Sequence, residues 1–326
     1  MPNTMKKNSL MPTLAMLLVA VTWGASFSVT KTVLNYYEPG FVILCRMCLG
    51  ALVFLLCWRT LRRTRIARKD LPVLCLMILF EPILFFLLES YALTYTSASQ
   101  AGMIVATSPL FTAVAAWIFL REKPGVLMWI GFVVAIFGIV LLSFDAVRSE
   151  HAPNPVLGNI LEALCLCCGA GFIVCVKKLG ARYSPFFLAA AQAVGGAIFF
   201  VFFAIGTGVS GPASFETVPV LCLLYLGVLI TFGGISIFNY GLANLPAATS
   251  AGLLNLVPLF AVLFGALALG EELNSMQWAA GGFVIAGVLI SQRAKVKMPG
   301  SGKLPSPDKL KKLVAETTKD QRNYAK

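Results

Sequence analysis

Charge is scarce in this chain. Only 12% of its 326 residues are charged, against roughly 25% in soluble proteins, and 58% are hydrophobic. A soluble domain of that composition lacks the polar surface to cover itself. Histidine is nearly absent, because His151 stands alone and falls in a predicted loop. Neither a metal-ligand pattern, a catalytic dyad nor a glycine-rich nucleotide loop can be drawn, so the expectation is no enzyme and no metal. Acidic residues are few as well, 14 against 26 basic ones, which leaves a net charge of +12. That excess ordinarily points to an anionic partner such as nucleic acid, but its placement points elsewhere, as shown below.

Cysteine is present without a framework. All nine cysteines (45, 48, 57, 75, 165, 167, 168, 175 and 222) lie inside apolar runs, so none suggests a surface disulfide scaffold. Cys165, Cys167 and Cys168 are close enough together to hold a soft metal, and equally suited to be small apolar filler in a helix.

Apolar runs of about 20 residues recur, each long enough to cross a bilayer as a helix. Ten can be drawn, at about 12–30, 41–58, 71–91, 98–120, 125–144, 157–176, 186–206, 218–240, 248–269 and 275–291. Breakers separate them, among them Glu38-Pro39-Gly40, Arg121-Glu122-Lys123-Pro124 and Ala152-Pro153-Asn154-Pro155. Lys6 and Lys7 precede the first run, which has no small-residue cleavage site at its end and reads as an uncleaved first helix. With the N-terminus in the cytoplasm, 23 of the 26 basic residues fall on the cytoplasmic side. They include the cluster from Arg59 to Lys69, Arg121, Lys123, Lys177, Lys178, Arg182 and the tail beyond 293. Lys31 and Arg148 fall outside and Arg46 falls within a span. Short cytoplasmic loops retain Lys and Arg, so an even number of spans with both ends inside is expected.

The stretch Tyr91–Glu122 occurs again, 149 residues later, as Tyr240–Glu271. Tyr91 falls on Tyr240, Leu93 on Leu242, Ala98 on Ala247, Pro109-Leu110-Phe111 on Pro258-Leu259-Phe260, Leu120 on Leu269 and Glu122 on Glu271. The shared frame predicts an internal duplication. Each half holds five spans, and five is odd, so the second half starts on the opposite face from the first. The expected fold is an all-α membrane protein of ten transmembrane helices in two inverted five-helix repeats. Such copies can exchange inward-open and outward-open shapes around a central site. The boundaries are a cytoplasmic N-terminus at 1–10, a first repeat at 11–145, a second at 156–292 and a basic cytoplasmic tail at 293–326. In the tail, DKLKKLVAE reads either as a short helix on the inner leaflet or as a disordered solubilising segment.

Polar residues inside the spans carry the chemistry, since an unpaired charge in hydrocarbon must be neutralised, hydrated or moved to the interface. Arg46 and Glu162 both lie roughly 9 Å from the outer ends of their spans, Glu89 near the outer end of span three and Glu81 near its centre. Arg46 has Glu162, Glu89 and Glu81 as possible partners. A static ion pair and a role in substrate binding or gating both fit. Glu81 is the proton-coupling candidate, since a mid-depth carboxyl can take up and release a proton as water access changes. A structural hydrogen bond fits it too. Pro82 lacks an amide donor and is expected to free a carbonyl of the preceding turn. Trp23, Tyr91, Gln100, Asn239, Tyr240 and Asn255 are further candidates to line a cavity, with helix packing or interfacial anchoring as the competing role for each. Pro109 and Pro258, at matching mid-helix positions, are expected to bend the fourth helix of each half. Gly24, Gly102 and Gly252 should permit close helix approach.

The opening WGASFSVTK, Arg46 in span two, ALTYTSASQAGMIVATSPLFTAVAAWIFLREK and GLANLPAATSAGLLNLVPLFAVLFGALALGEEL together resemble the drug/metabolite transporter superfamily, specifically its EamA-like ten-helix transporters. The likeness covers about residues 12–292, and FEPILFFLLESYAL resembles a subgroup with acidic residues in its third helix. It implies a two-repeat bundle, a central cavity and alternating access in a bacterial cell inner membrane. It further implies transport of small metabolites, often efflux of amino acids or related compounds, with no bound cofactor; the aromatic and acidic residues favour a substrate with an amine. Trp23, Arg46, Tyr91, Pro109, Tyr240 and Pro258 match motif positions. The second half has Cys168 near the place of Trp23, so a chemically asymmetric cavity is expected. Uptake or exchange by the same fold, a membrane-embedded enzyme and a channel are the alternatives. The expected partners are a small-molecule substrate and membrane lipid, with protons as a further candidate and no nucleic acid, and the expected state is a monomer or weak dimer.

Overall fold

The computed structural model describes residues 10–62, 64–121, 124–144, 152–209, 211–212, 215–245 and 253–293. Lys6, Lys7, Glu122, Lys123, Arg148, His151, Gly252 and the basic tail therefore lie outside the described residues, as does the side chain of Asn239. Every regular element among the described residues is helical. The helices are α1 (Leu10–Leu34), α2 (Pro39–Leu56), α3 (Arg68–Tyr95), α4 (Ala98–Val105), α5 (Ser108–Leu120), α6 (Val126–Phe144), α7 (Pro155–Leu179), α8 (Pro185–Thr207), α9 (217–244), α10 (Val257–Leu269) and α11 (Ser275–Gln292), with a single turn at Trp58–Leu61.

Seven of them are long and apolar enough to cross a membrane, and the bent pair α4–α5 makes up to eight; α10 is a shorter apolar helix. The chain is a multi-spanning all-α membrane protein. Local chemistry sets the helix starts. Asn154 and Ser184 cap α7 and α8, accepting from Leu157 and Phe187 amides at 3.3 and 3.2 Å. A proline follows each cap, where its missing N–H costs nothing. Asn274 and Gln277 form a reciprocal capping box at the start of α11.

Three long spans are not continuous. In α3 the α-helix Leu71–Ile78 gives way to a π-helical stretch, Leu79–Leu84, before resuming at Phe85. Glu81 has non-helical backbone angles there (φ −146°, ψ 118°), and the Glu81–Pro82 peptide is cis. The kink anticipated from Pro82 is thus present, centred on the glutamate. A second π stretch, Tyr225–Gly234, interrupts α9. The third interruption lies between α4 and α5, which meet at 41°. Pro109 sits in the first turn of α5 and Pro258 in the first turn of α10, so both prolines start a helix just past a break.

α1 packs on α9 and α10, and α7 packs on α3 and α5. α2 packs on α8 and α9, α8 on α2 and α3, and α6 on α11. Between lipid-solvated helices there is no hydrophobic drive, so close backbone approach supplies the attraction. The α6–α11 contact shows it: a Cβ on Gly287 would lie 2.5 Å from the Gly131 carbonyl oxygen and 2.6 Å from the Ala135 nitrogen. Gly24 and Gly102 serve the same purpose against Phe260 and Ala261 of α10, as expected of them.

Gly287→Leu should therefore force α6 and α11 apart at a cost of about 1–3 kcal/mol, while Gly282→Leu, whose Cβ would meet nothing within 4 Å, should not. Thermal unfolding in detergent measures this, with a lower Tm expected for the first variant only.

Candidate functional site

The two breaks in α3 and α9 are served by polar side chains from α2 and α8. Arg46 is buried on α2, and its Nε donates to Thr231 Oγ1 at 3.3 Å in the π stretch of α9. Thr231 Oγ1 in turn donates to the Leu226 carbonyl at 2.8 Å. On the other side, Gln192 of α8 donates from Nε2 to the Glu81 carbonyl at 3.2 Å in the break of α3. A backbone oxygen freed inside a bilayer must find a donor within the protein, and these two side chains bring donors to the breaks.

Arg46 does more than brace α9. Its guanidinium lies 3.6 Å from Glu89 Oε2 and 3.9 Å above the Phe86 ring, an ion pair and a cation–π contact. Of the three partners anticipated for Arg46, Glu89 makes the contact. Glu81 interacts electrostatically with Arg46 and Glu89. Glu162 of α7 is fully buried, and neither of its oxygens has a hydrogen-bond partner. Trp23 of α1 lies against α9: a Cβ on Gly234, at the end of the break, would fall 2.7 Å from its Nε1, its ring lies 5.3 Å from Phe238, and the buried Nε1 has no hydrogen-bond partner.

The remaining candidates are dispersed. Gln100 is buried in a hydrogen-bonded knot rather than open to a cavity. Its Oε1 accepts from Thr96 Oγ1 at 3.2 Å and from Asn159 Nδ2 at 3.1 Å. Asn159 Nδ2 also donates to Ser143 Oγ at 3.0 Å, and Thr96 Oγ1 donates to Asn159 Oδ1 at 2.8 Å. Tyr91, Tyr240 and Asn255 are exposed and do not join the Arg46 group. The tyrosines share a frame in the repeat, yet shared position in a repeat says only that both helices end similarly. A cavity of about 370 Å³ opens between α5 and α7, lined by Pro109, Thr112 and Lys177 among others. Arg46, Glu81 and Trp23 are not among its walls.

Two residues at the knot were not singled out by spacing. Lys31, assigned to an outer loop by charge counting, is instead buried in the last turn of α1. Its Nζ donates to the carbonyls of Leu93 and, at 2.6 Å, of Thr96. Glu271, beyond the end of α10, accepts from the amides of Ala98 and Ser99, both at 2.8 Å, at the start of α4. An anion at a helix N-terminus satisfies free amides and complements the helix dipole. Lys31, Glu271 and the knot around Asn159 thus tie helix ends together at one end of the bundle. The available signals were Lys31 inside the WGASFSVTK opening and Glu271 in register with Glu122.

The EamA-like transporter family matches this sequence twice, over residues 10–144 and 156–292. An uncharacterized transporter of Archaeoglobus fulgidus is 26% identical over 84% of this chain and 96% of its own. A probable terminal-alkyne amino-acid exporter of Streptantibioticus cattleyicolor is 26% identical, over 86% of this chain and 92% of that protein. The S-adenosylmethionine/S-adenosylhomocysteine transporter of Chlamydia trachomatis is 30% identical, over 83% and 85%. A solved crystal structure superimposes with a TM-score of 0.58 at 17% identity, covering 86% of this chain and 96% of that one; this likeness shows the fold alone.

Removing one partner of a buried ion pair strands the other, at about 3–5 kcal/mol. Arg46→Met should therefore lower the Tm of the purified protein, and Arg46→Met combined with Glu89→Gln should recover part of the loss. Equal losses in single and double variants would mean that the pair is not coupled.

Proposed function

From the premise that this chain belongs to the EamA-like transporter family, and so is a multi-pass membrane transporter of small metabolites, we propose that it is a secondary active exporter. It works by alternating access between two inverted five-helix repeats, at 11–145 and 156–292. The carrying observation is the reciprocal bracing of α3 and α9. Arg46 of the first half reaches the break in the second, and Gln192 of the second half reaches the break in the first. Gln192 follows Arg46 by 146 residues, the same interval that separates the two family matches at 10 and 156. The packing has the same reciprocity, with α1 on α9 and α10 matched by α7 on α3 and α5.

In this reading the protein lies in a bacterial inner membrane with both termini in the cytoplasm, and the Lys31 end faces outward and is closed. The substrate is an amino acid or a related amine. A relative named as an amino-acid exporter and another named for S-adenosylmethionine support that class. Arg46 orients an anionic group of the substrate or holds the gate, Trp23 offers a ring face and a free N–H donor, and Glu81 changes protonation during the cycle. A cavity at the α3 and α9 breaks forms as the halves rock.

Purified protein in liposomes tests this with a panel of labelled amino acids and S-adenosylmethionine. Saturable counterflow of at least one compound is expected, and its absence across the panel contradicts the substrate class. Vesicles of known orientation report the direction of flux under a proton gradient. Glu81→Gln should reduce gradient-driven flux roughly tenfold and flatten its pH dependence while counterflow persists. Unchanged flux and pH dependence would remove Glu81 from coupling.

A further inference from the structure

Glu162 is the buried acid that the reading above leaves without a role. It lies seven residues inside α7 from Pro155, about 10 Å along the helix, at a depth similar to that of Arg46 in α2 and Glu89 in α3. It has no exposed surface, and both carboxyl oxygens lack a hydrogen-bond partner. The cation beside Glu89 is already engaged, since Arg46 pairs with Glu89 and Thr231.

The groups around Glu162 can be enumerated from the helices packed on α7. α3 contributes Glu89, and Glu89, Glu81 and Glu162 all act on Cys165 of α7 itself. α4, α5 and α6 carry no Asp, Glu, Lys, Arg or His in their described lengths. Arg46 reaches the cluster from α2 and is shared with Glu89. An anionic Glu162 would thus add an uncompensated negative charge beside Glu89, in surroundings that supply no donor. Asn159 lies one turn nearer the Lys31 end on the same helix, where three-residue spacing places side chains on one face. It is tied to Thr96, Gln100 and Ser143 in the knot at that end.

We propose that Glu162 is a proton-binding site, loaded in the conformation closed at the Lys31 end and unloaded when the Asn159 knot parts. On opening, the Glu162 O–H bond breaks, the proton passes to entering water and the electron pair stays on the carboxylate, which that water then solvates. The loaded state rests on the burial of Glu162, its unpartnered oxygens and the neighbouring Glu89; the unloading step rests on the alternating-access reading and makes Glu162 a coupling group additional to Glu81.

Infrared spectroscopy of the purified protein in lipid tests the loaded state without any substrate. At neutral pH the native protein should show the carbonyl stretch of a protonated carboxyl in an apolar setting. Glu162→Gln should lose that component, and Glu162→Asp, which restores a carboxyl, should regain it at a shifted position. A native spectrum without the band, or a Glu162→Gln spectrum that keeps it in full, overturns the proposal. For unloading, a panel compound that shows counterflow is followed under an imposed pH gradient. Glu162→Gln should keep counterflow and lose gradient-driven acceleration by about tenfold; equal acceleration in native protein and variant refutes coupling at this site. If no panel compound moves in the native protein, the carrier reading fails, while the infrared result still decides whether Glu162 holds a proton.

Discussion

Hydrocarbon offers no donor or acceptor to a broken helix, and that constraint organises this protein. α3 and α9 both interrupt their helical ladders inside the bilayer, at Leu79–Leu84 and Tyr225–Gly234. Polar groups there must be met by protein. Arg46 and Gln192 do so from neighbouring helices of the opposite half. Each break is therefore held by a side chain on an element that moves with the other half in the proposed cycle. Irregular backbone tied across a moving interface is suited to two alternative sets of hydrogen bonds, where a continuous helix would have only one.

Electrostatics adds a second constraint. Arg46, Glu89, Glu81 and Glu162 place one cation among three acids in a region with little other charge. The ion pair to Glu89 contributes little net stability, because desolvating both partners offsets their attraction. Its value is positional: it joins α2 to α3 while the other face of the guanidinium rests on Phe86 and Nε holds α9. Three helices thus meet at one planar group with donors in a fixed fork, which a lysine could not reproduce.

Much of this was legible in the chain. Apolar length and breaker residues located the ends of α1 to α9 and of α11 to within about four residues. Pro82 and Pro109 marked two of the three interruptions because a missing N–H acts locally, whereas the π stretch of α9 contains no proline. The Arg46–glutamate pairing followed from depth, since two charges at one level in an apolar medium seek each other. What the chain did not show is which way a side chain faces. Tyr91 and Tyr240 share a register but are exposed, and Gln100 turns into a knot with Thr96 and Asn159. Lys31 was placed by charge counting in a loop, whereas one more turn of α1 buries it against the end of α3. Gln192, a single amide in a span of phenylalanine and alanine, gave a signal that hydropathy averages away.

The central claim is that the two ends of the bundle open in turn around the braced breaks. Spin-label distances in a cysteine-free background report this directly, with one pair at Asn35 and Glu272 near the Lys31 end and another at Arg121 and Ala181 near the Lys177 end. Across changes of pH and of a transported panel compound, one distance should lengthen as the other shortens. Distances that stay fixed under every condition, or lengthen together, would contradict alternating access in this protein.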